Sequence, residues 1–314
     1  MSTEHSRTQP AADEPVGAFD TAVSGLASAF NDLWSVLRYS SGYLAIITAV
    51  EMVMATVLLS IQLNLAPLVG GLITFAVYVT DRIADADDDE LDKPQRVAFV
   101  RRHKQLLTVL GALAYGFAVT LSVFGGPLAF GVTMLPGAAW VLYASDFLPS
   151  IHSGMGRLKD SVVINSGLVA FAWAVTLTFL PVAFADMGPF NPAVGIIFVY
   201  FFFRSYLDAE LPNIRDVESD KAAGVSTLPV KYGVGWTRRA MYGIDLLTVG
   251  IIAIAVFGDL VPALGGLALL AGVAFSIVVS SRIDEFDENG WVSIAPDMEY
   301  VLSGGLLILI WFFR

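Results

Sequence analysis

In VTDRIADADDDELDKPQR, Val79 to Arg96, three aspartates, Asp81, Asp85 and Asp89, recur every four residues directly after the apolar run LAPLVGGLITFAVY. That spacing sets their carboxylates in a row along one face of a helix. A second row follows in YLDAELPNIRDVESDKAAG, where Asp216 and Asp220 share the spacing and Asp208 and Glu210 precede them. Pro212, one turn before Asp216, predicts a kink or a fresh helix start there. Lys93 and Arg96 stand beside the first row, Arg215 and Lys221 within the second, and Lys159 in the stretch between. Two carboxylate rows meeting at one membrane face offer the hard oxygen ligands of Mg²⁺, which takes one or two carboxylates together with phosphate oxygens and water. Arginine grips phosphate bidentately and lysine acts on it as a point charge. The chemistry so described is metal-assisted departure of a diphosphate. Its place at the mouth of apolar helices makes the rest of the substrate greasy, an isoprenyl diphosphate. One aspartate alone at such a helix end reads equally as solvated charge, and Asp87, Asp88, Glu90 and Asp92 read as solvated rather than as ligands; the paired rows with adjacent cations do not read as solvated charge.

The elements that must position these rows are membrane helices. The chain has 314 residues, of which 56% are hydrophobic and only 15% charged, with a mean hydropathy of +0.69, too apolar for a soluble domain of this size. Runs near the roughly 20 residues that cross a bilayer fall at about 41–62, 64–82, 105–124, 127–145, 161–183, 190–208, 239–257, 260–280 and 298–313. Lysine and arginine sort to alternate connections. They occupy those after the second, fourth, sixth and eighth runs, with Arg204 counted among the cations after the sixth, and are absent around Asn64, Gly125–Gly126, Asp186–Asn191 and Gly258–Asp259. By the positive-inside rule the charged connections are cytoplasmic. The expectation is an all-α polytopic membrane protein, nine transmembrane helices around a central cavity open to the cytoplasmic face. Both Asp-rich loops and the N-terminus would be cytoplasmic, and the C-terminus on the opposite side. Residues 1–16 read as a disordered tail without the basic and apolar regions of a secretory signal. Residues 17–40 carry Phe19, Val23, Leu26, Phe30, Leu33 and Leu37 at helical spacing, an amphipathic interfacial helix. The transmembrane domain is 41–314.

A net charge of -11 argues against nucleic acid as a partner. The absence of cysteine removes disulfides and thiol chemistry. His5, His103 and His152 have no ligand spacing, and no phosphate-loop pattern is present.

On these residues the chain resembles the UbiA-type intramembrane prenyltransferases, whose nine helices carry aspartate-rich motifs written NxxxDxxxD and DxxxD. IRDVESDKAAGVSTLPVKYG, Ile214 to Gly233, is similar to the second motif and the loop after it. Aligned on Lys93-Pro94, Asp85 and Asp89 take the aspartate positions of the first motif, and Asp81 stands where the family usually has asparagine. Pro212-Asn213 replaces a common Asn-Asp. RLKDSVVINSGLVAFAWA, Arg157 to Ala174, resembles the entry to the fifth helix, which makes Lys159 a candidate diphosphate ligand and Asn165 a candidate pocket residue, Asn165 reading equally as an interhelical hydrogen-bonding residue. The resemblance implies Mg²⁺ held by Asp81, Asp85, Asp89, Asp216 and Asp220, with Asp85, Asp216 and Asn165 catalytic. The diphosphate would be held by Lys93, Arg96, Lys159, Arg215 and Lys221. It also implies loss of diphosphate from an allylic chain and capture of the carbocation by a lipophilic or aromatic acceptor.

Aromatic faces stabilise such a cation; the candidates are Trp140, Tyr143, Phe171, Trp173, Phe201, Phe202, Phe203 and Tyr206. Capture by a double bond of the same chain would instead make a terpene cyclase. A cation transporter would need ionisable groups near the bilayer midplane, where the runs hold little besides Glu51 and Asp245. Arg38 is the available anchor for an acidic acceptor, or an ordinary interfacial arginine. Prenyl chain length, acceptor and oligomeric state are not legible in the sequence.

Overall fold

The structure is a computed structural model and describes residues 16–87, 90, 93–144, 162–223, 226–282 and 294–313. Each expected apolar run lies on a helix: α2 (Gly42–Leu58), α3 (Ala66–Ala84), α5 (Lys104–Ser122), α6 (Gly126–Ala144), α7 (Val162–Phe184), α8 (Pro192–Arg215), α11 (Val234–Phe257), α12 (Ala263–Arg282) and α13 (Met298–Phe312). Before them runs α1 (Val16–Tyr39), and between them the short helices α4 (Pro94–Arg102), α9 (Val217–Ala223) and α10 (Leu228–Tyr232). Among the described residues five stretches are long and apolar enough to cross a membrane: Ala66–Ala84, Lys104–Ala138, Ser166–Phe184, Val234–Phe257 and Ala263–Arg282. α2 and α13 are shorter, 17 and 15 residues, and α8 carries Arg204, Asp208 and Glu210 along its length. The chain is a multi-pass membrane protein.

Local chemistry sets the breaks. Proline opens α3, α4, α8 and α10, where its missing N–H costs nothing. Asn191 caps α8 by accepting from the Ala193 N–H at 2.9 Å. Ser41, at φ 67°, turns the chain between α1 and α2, and the two helices meet at 78°. α1 leaves Val23, Phe30, Leu33 and Val36 exposed, an apolar face at helical spacing.

The helices close into a ring. α2 packs on α3, α3 on α5, α5 on α6, α6 on α7, α7 on α8, α8 on α11, α11 on α12 and α12 on α13, and α13 returns to α2. Gly71 sits where α2 and α3 approach: a Cβ there would lie 3.0 Å from the Ala45 carbonyl oxygen, backbone that cannot swing aside. The core joins Met52, Met54, Leu58, Ile73, Leu177, Leu180, Ile197 and Phe201 from α2, α3, α7 and α8. A second cluster of Leu207, Leu211, Ile214, Leu228, Met241 and Val279 braces the charged ends of α8 and α11.

Two expectations are corrected. Pro212 does not restart its helix: α8 runs through it to Arg215, and the break comes at Asp216, whose N–H bonds the Pro212 carbonyl at 3.0 Å. Arg204 is not a loop cation but fully buried, because Glu299 and Asp245 from α13 and α11 surround its guanidinium.

Candidate active site

A cavity of about 520 Å³ opens inside the ring, within the range of small-ligand sites. Its mouth is charged. α3 delivers Asp81 and Arg82, and the turn that ends α3 delivers Asp85, whose N–H bonds the Asp81 carbonyl at 2.9 Å. Lys93 and Arg96 come from the start of α4, and Arg215 and Asp216 from the end of α8. Arg215 forks onto Asp216, Nε to Oδ1 at 2.7 Å and an η nitrogen to Oδ2 at 3.2 Å. Arg38 and Tyr39 close the rim from α1, and Arg82 ties that corner down by donating to the Arg38 and Tyr39 carbonyls at 2.5 and 2.9 Å.

Below the mouth the wall turns aromatic and apolar: Tyr43, Leu44, Ile47, Tyr78, Val169, Trp173 and Leu177. Tyr78 and Trp173 stack, 6.0 Å between centroids and 10° between planes. Deeper still the lining is polar again, with Thr48, Glu51, Thr74, Ser205, Asp208 and Tyr300. Asp297, at the start of α13, completes the wall. Burial first, and then the Glu299 carboxylate, push its carboxyl up to about 7, against a hydrogen bond from Tyr43 and the charge of Arg82.

Of the residues singled out in the sequence, Asp81, Asp85, Lys93, Arg96, Arg215 and Asp216 share this one cavity. Asp220 and Lys221 are not on its wall: Asp220 accepts from the Thr227 hydroxyl at 3.0 Å, and Lys221 pairs with Glu218 at 2.8 Å. Asp89, Lys159 and the side chain of Asn165 lie outside the described residues. Asp87 and Glu90 are exposed partners of Arg101, at 2.8 and 2.6 Å, and that hydrogen-bonded guanidinium lowers the Glu90 carboxyl. Among the aromatic candidates Trp173 reaches the wall, whereas Phe201 is core and Phe171 packs on Phe198.

Sequence reasoning missed Tyr43, Tyr78, Asp297 and Tyr300. The available signal was register: Tyr78 precedes Asp81 by three residues and shares its helix face.

Mg²⁺ fits this set in one particular way. Among the described residues no group of three or more Asp, Glu, His or Cys side chains is close enough to hold a metal ion alone. Carboxylates from two helix ends beside three cations instead suit an ion shared between protein and a phosphate-bearing substrate.

The site is thus a charged mouth over an aromatic and apolar wall within a helical membrane bundle. A sequence model of the UbiA prenyltransferase family matches residues 43–293, and the chain belongs to that family of prenyl-transferring enzymes. It is 29% identical to the digeranylgeranylglyceryl phosphate synthase of Methanoregula boonei over 66% of this chain and 68% of that one. It is 27% identical to the synthase of the same name from Korarchaeum cryptofilum, over 71% and 72%. Its fold matches a UbiA homolog from Archaeoglobus fulgidus solved with GPP and Mg²⁺, at a TM-score of 0.60 and 14% identity over 87% of this chain and 96% of that one. A structure described as concerning digeranylgeranylglyceryl phosphate synthase in membranes matches at 0.56 and 16%, over 89% and 99%.

Proposed function

We propose that this chain is a Mg²⁺-dependent intramembrane prenyltransferase that ionises an isoprenyl diphosphate at the cavity mouth and passes the prenyl group to a lipophilic or aromatic acceptor. The observation that carries the reading is the meeting of Asp81, Asp85 and Asp216 with Lys93, Arg96 and Arg215 above the Tyr78–Trp173 wall. The relative solved with GPP and Mg²⁺ supports the same pairing of substrate and ion. Asp81, Asp85 and Asp216 hold the ion with the diphosphate; Asp89 and Asp220 join them on the strength of their motif spacing. Lys93, Arg96 and Arg215 hold the phosphate oxygens, and Lys159, Lys221 and Asn165 are assigned by motif resemblance. When bound, Mg²⁺ supplies the charge that stabilises the departing diphosphate. The aromatic wall faces the allylic cation and keeps water from it.

Nine spans, with the mouth and N-terminus cytoplasmic and the C-terminus opposite, follow from the distribution of lysine and arginine. α1, bent at 78° to α2 with an apolar face exposed, lies along the membrane surface. The relatives' name specifies a glyceryl phosphate bearing two geranylgeranyl groups, so a glyceryl phosphate lipid is the first acceptor to test.

The test incubates the purified, detergent-solubilised chain with Mg²⁺ and geranylgeranyl diphosphate, with and without geranylgeranylglyceryl phosphate or a polar-lipid extract. Released diphosphate and products are read by mass spectrometry. Prenylated lipid formed only with acceptor is the expected result; a cyclised hydrocarbon formed without any acceptor would make the chain a terpene cyclase instead.

A further inference from the structure

The deep end of the cavity is built differently from a receptacle for a hydrocarbon tail. Six polar side chains line it: Thr48 and Glu51 on α2, Thr74 on α3, Ser205 and Asp208 on α8 and Tyr300 on α13. Asp208 lies eight residues before Asp216, and Glu51 eight after Tyr43, so both sit about 12 Å inward from the mouth along their helices.

An ion network behind the wall fixes this floor. Arg204, one turn before Asp208, donates through Nε to Glu299 at 2.8 Å and through an η nitrogen to Asp245 at 2.7 Å, and its other η nitrogen bonds the second Glu299 oxygen. Tyr300, next to Glu299, donates its hydroxyl to Asp208 Oδ2. Asp208 Oδ1 is buried and has no hydrogen-bond partner. Thr48 and Thr74 satisfy each other at 2.9 Å. The floor therefore presents an unmet acceptor and carboxyl groups, while the Arg204 guanidinium behind it is engaged by two carboxylates.

A buried acceptor without a partner costs about 1–3 kcal/mol, and a site built for a hydrogen bond strongly rejects an analogue that lacks the donor. An alkyl end leaves Asp208 Oδ1 unmet, and an anion would meet the carboxyl groups of Asp208 and Glu51 with the nearby Arg204 guanidinium already engaged by Glu299 and Asp245. We propose that this floor is a subsite for an uncharged hydroxyl carried at the inner end of the lipid whose diphosphate lies at the mouth, and that Asp208 is the residue that accepts its hydrogen bond. It deepens the prenyltransferase reading and rests on it: the mouth selects the diphosphate, and the floor selects a neutral hydroxyl-bearing group over a carboxylate or a bare alkyl end.

Three probes sharing one anchor test this. Geranyl diphosphate, its ω-hydroxy analogue and its ω-carboxy analogue differ only in the group carried to the floor, and their Kd values are measured with Mg²⁺ on the purified full chain. The hydroxy analogue is expected to bind roughly tenfold tighter than geranyl diphosphate, and the carboxy analogue at least tenfold more weakly. Asp208→Asn, whose amide can also donate, is expected to raise the relative affinity of the carboxy analogue. Glu51→Gln, on the facing wall, should do so to a smaller degree. Affinities are compared among the probes on one variant, so a general loss of fold cancels. Equal binding of the three probes by the wild type, or an order unchanged in both variants, overturns the subsite. Failure of the wild type to bind any of them overturns the diphosphate site, and the subsite with it.

Discussion

Removing the Arg204 guanidinium tests whether its buried ion network holds the bundle together. Arg204 is fully buried and bonds Glu299 twice and Asp245 once, linking α8 to α13 and α11. Arg204→Met keeps most of the side-chain volume but leaves two carboxylates facing each other without their cation. Taking one partner from a buried pair costs about 3–5 kcal/mol. At about 2–4 °C per kcal/mol for a chain of this order of size, that lowers the thermal midpoint by roughly 6–20 °C. The assay is the fraction of monodisperse protein remaining after heating in detergent. Adding Asp245→Asn and Glu299→Gln to Arg204→Met removes the stranded charges and should restore most of the loss. Arg101 is the control. It also makes three hydrogen bonds to carboxylates, of Glu90 and Asp87, but in solvent, and Arg101→Ala should leave the midpoint where it was. An Arg204→Met midpoint within about 2 °C of wild type would refute the reasoning.

Asp85→Ala and Asp216→Ala should each abolish diphosphate release while leaving the thermal midpoint near wild type, since both side chains sit at the mouth rather than in the core; full turnover in either would remove the metal hypothesis. Trp173→Leu removes one face of the Tyr78 stack and should slow turnover by roughly thirtyfold, the scale of one desolvated cation–π contact of about 2 kcal/mol, with little change in diphosphate affinity. Asp297, raised from 3.8 to about 7, holds a proton in the folded state that it has lost in the unfolded state between those values. Stability contributed by this group therefore falls as pH rises through that window and levels off above it. Thermal midpoints from pH 5 to 8 should show the decline, and Asp297→Asn should flatten it.

The helices were legible because each apolar run is long and bounded by proline, glycine or charge, and the six mouth residues because four-residue spacing and neighbouring cations are local signals. The floor was not. Asp245 and Glu299 lie 41 and 95 positions from Arg204, and only the packing of α8 on α11 and the closure of α13 onto α2 and α12 unite the three. Arg204 near the end of an apolar run looks the same as an interfacial arginine until its partners are known. Glu51 was visible as a charge inside the first run, but its facing residues, Asp208 and Tyr300, come from helices that follow much later. Lys221 was legible only as a cation within the second acidic row; its pairing with Glu218, three residues earlier on the same short helix, needed the structure.

The most direct measurement of the central claim is diphosphate release from geranylgeranyl diphosphate by the purified chain, with the lipid acceptor present, before and after chelation with EDTA. The account predicts that release stops on chelation, returns when Mg²⁺ is restored in excess, and is absent throughout in Asp85→Ala. Release that continues at the same rate in EDTA would contradict an ion shared between the two acidic helix ends and the departing diphosphate.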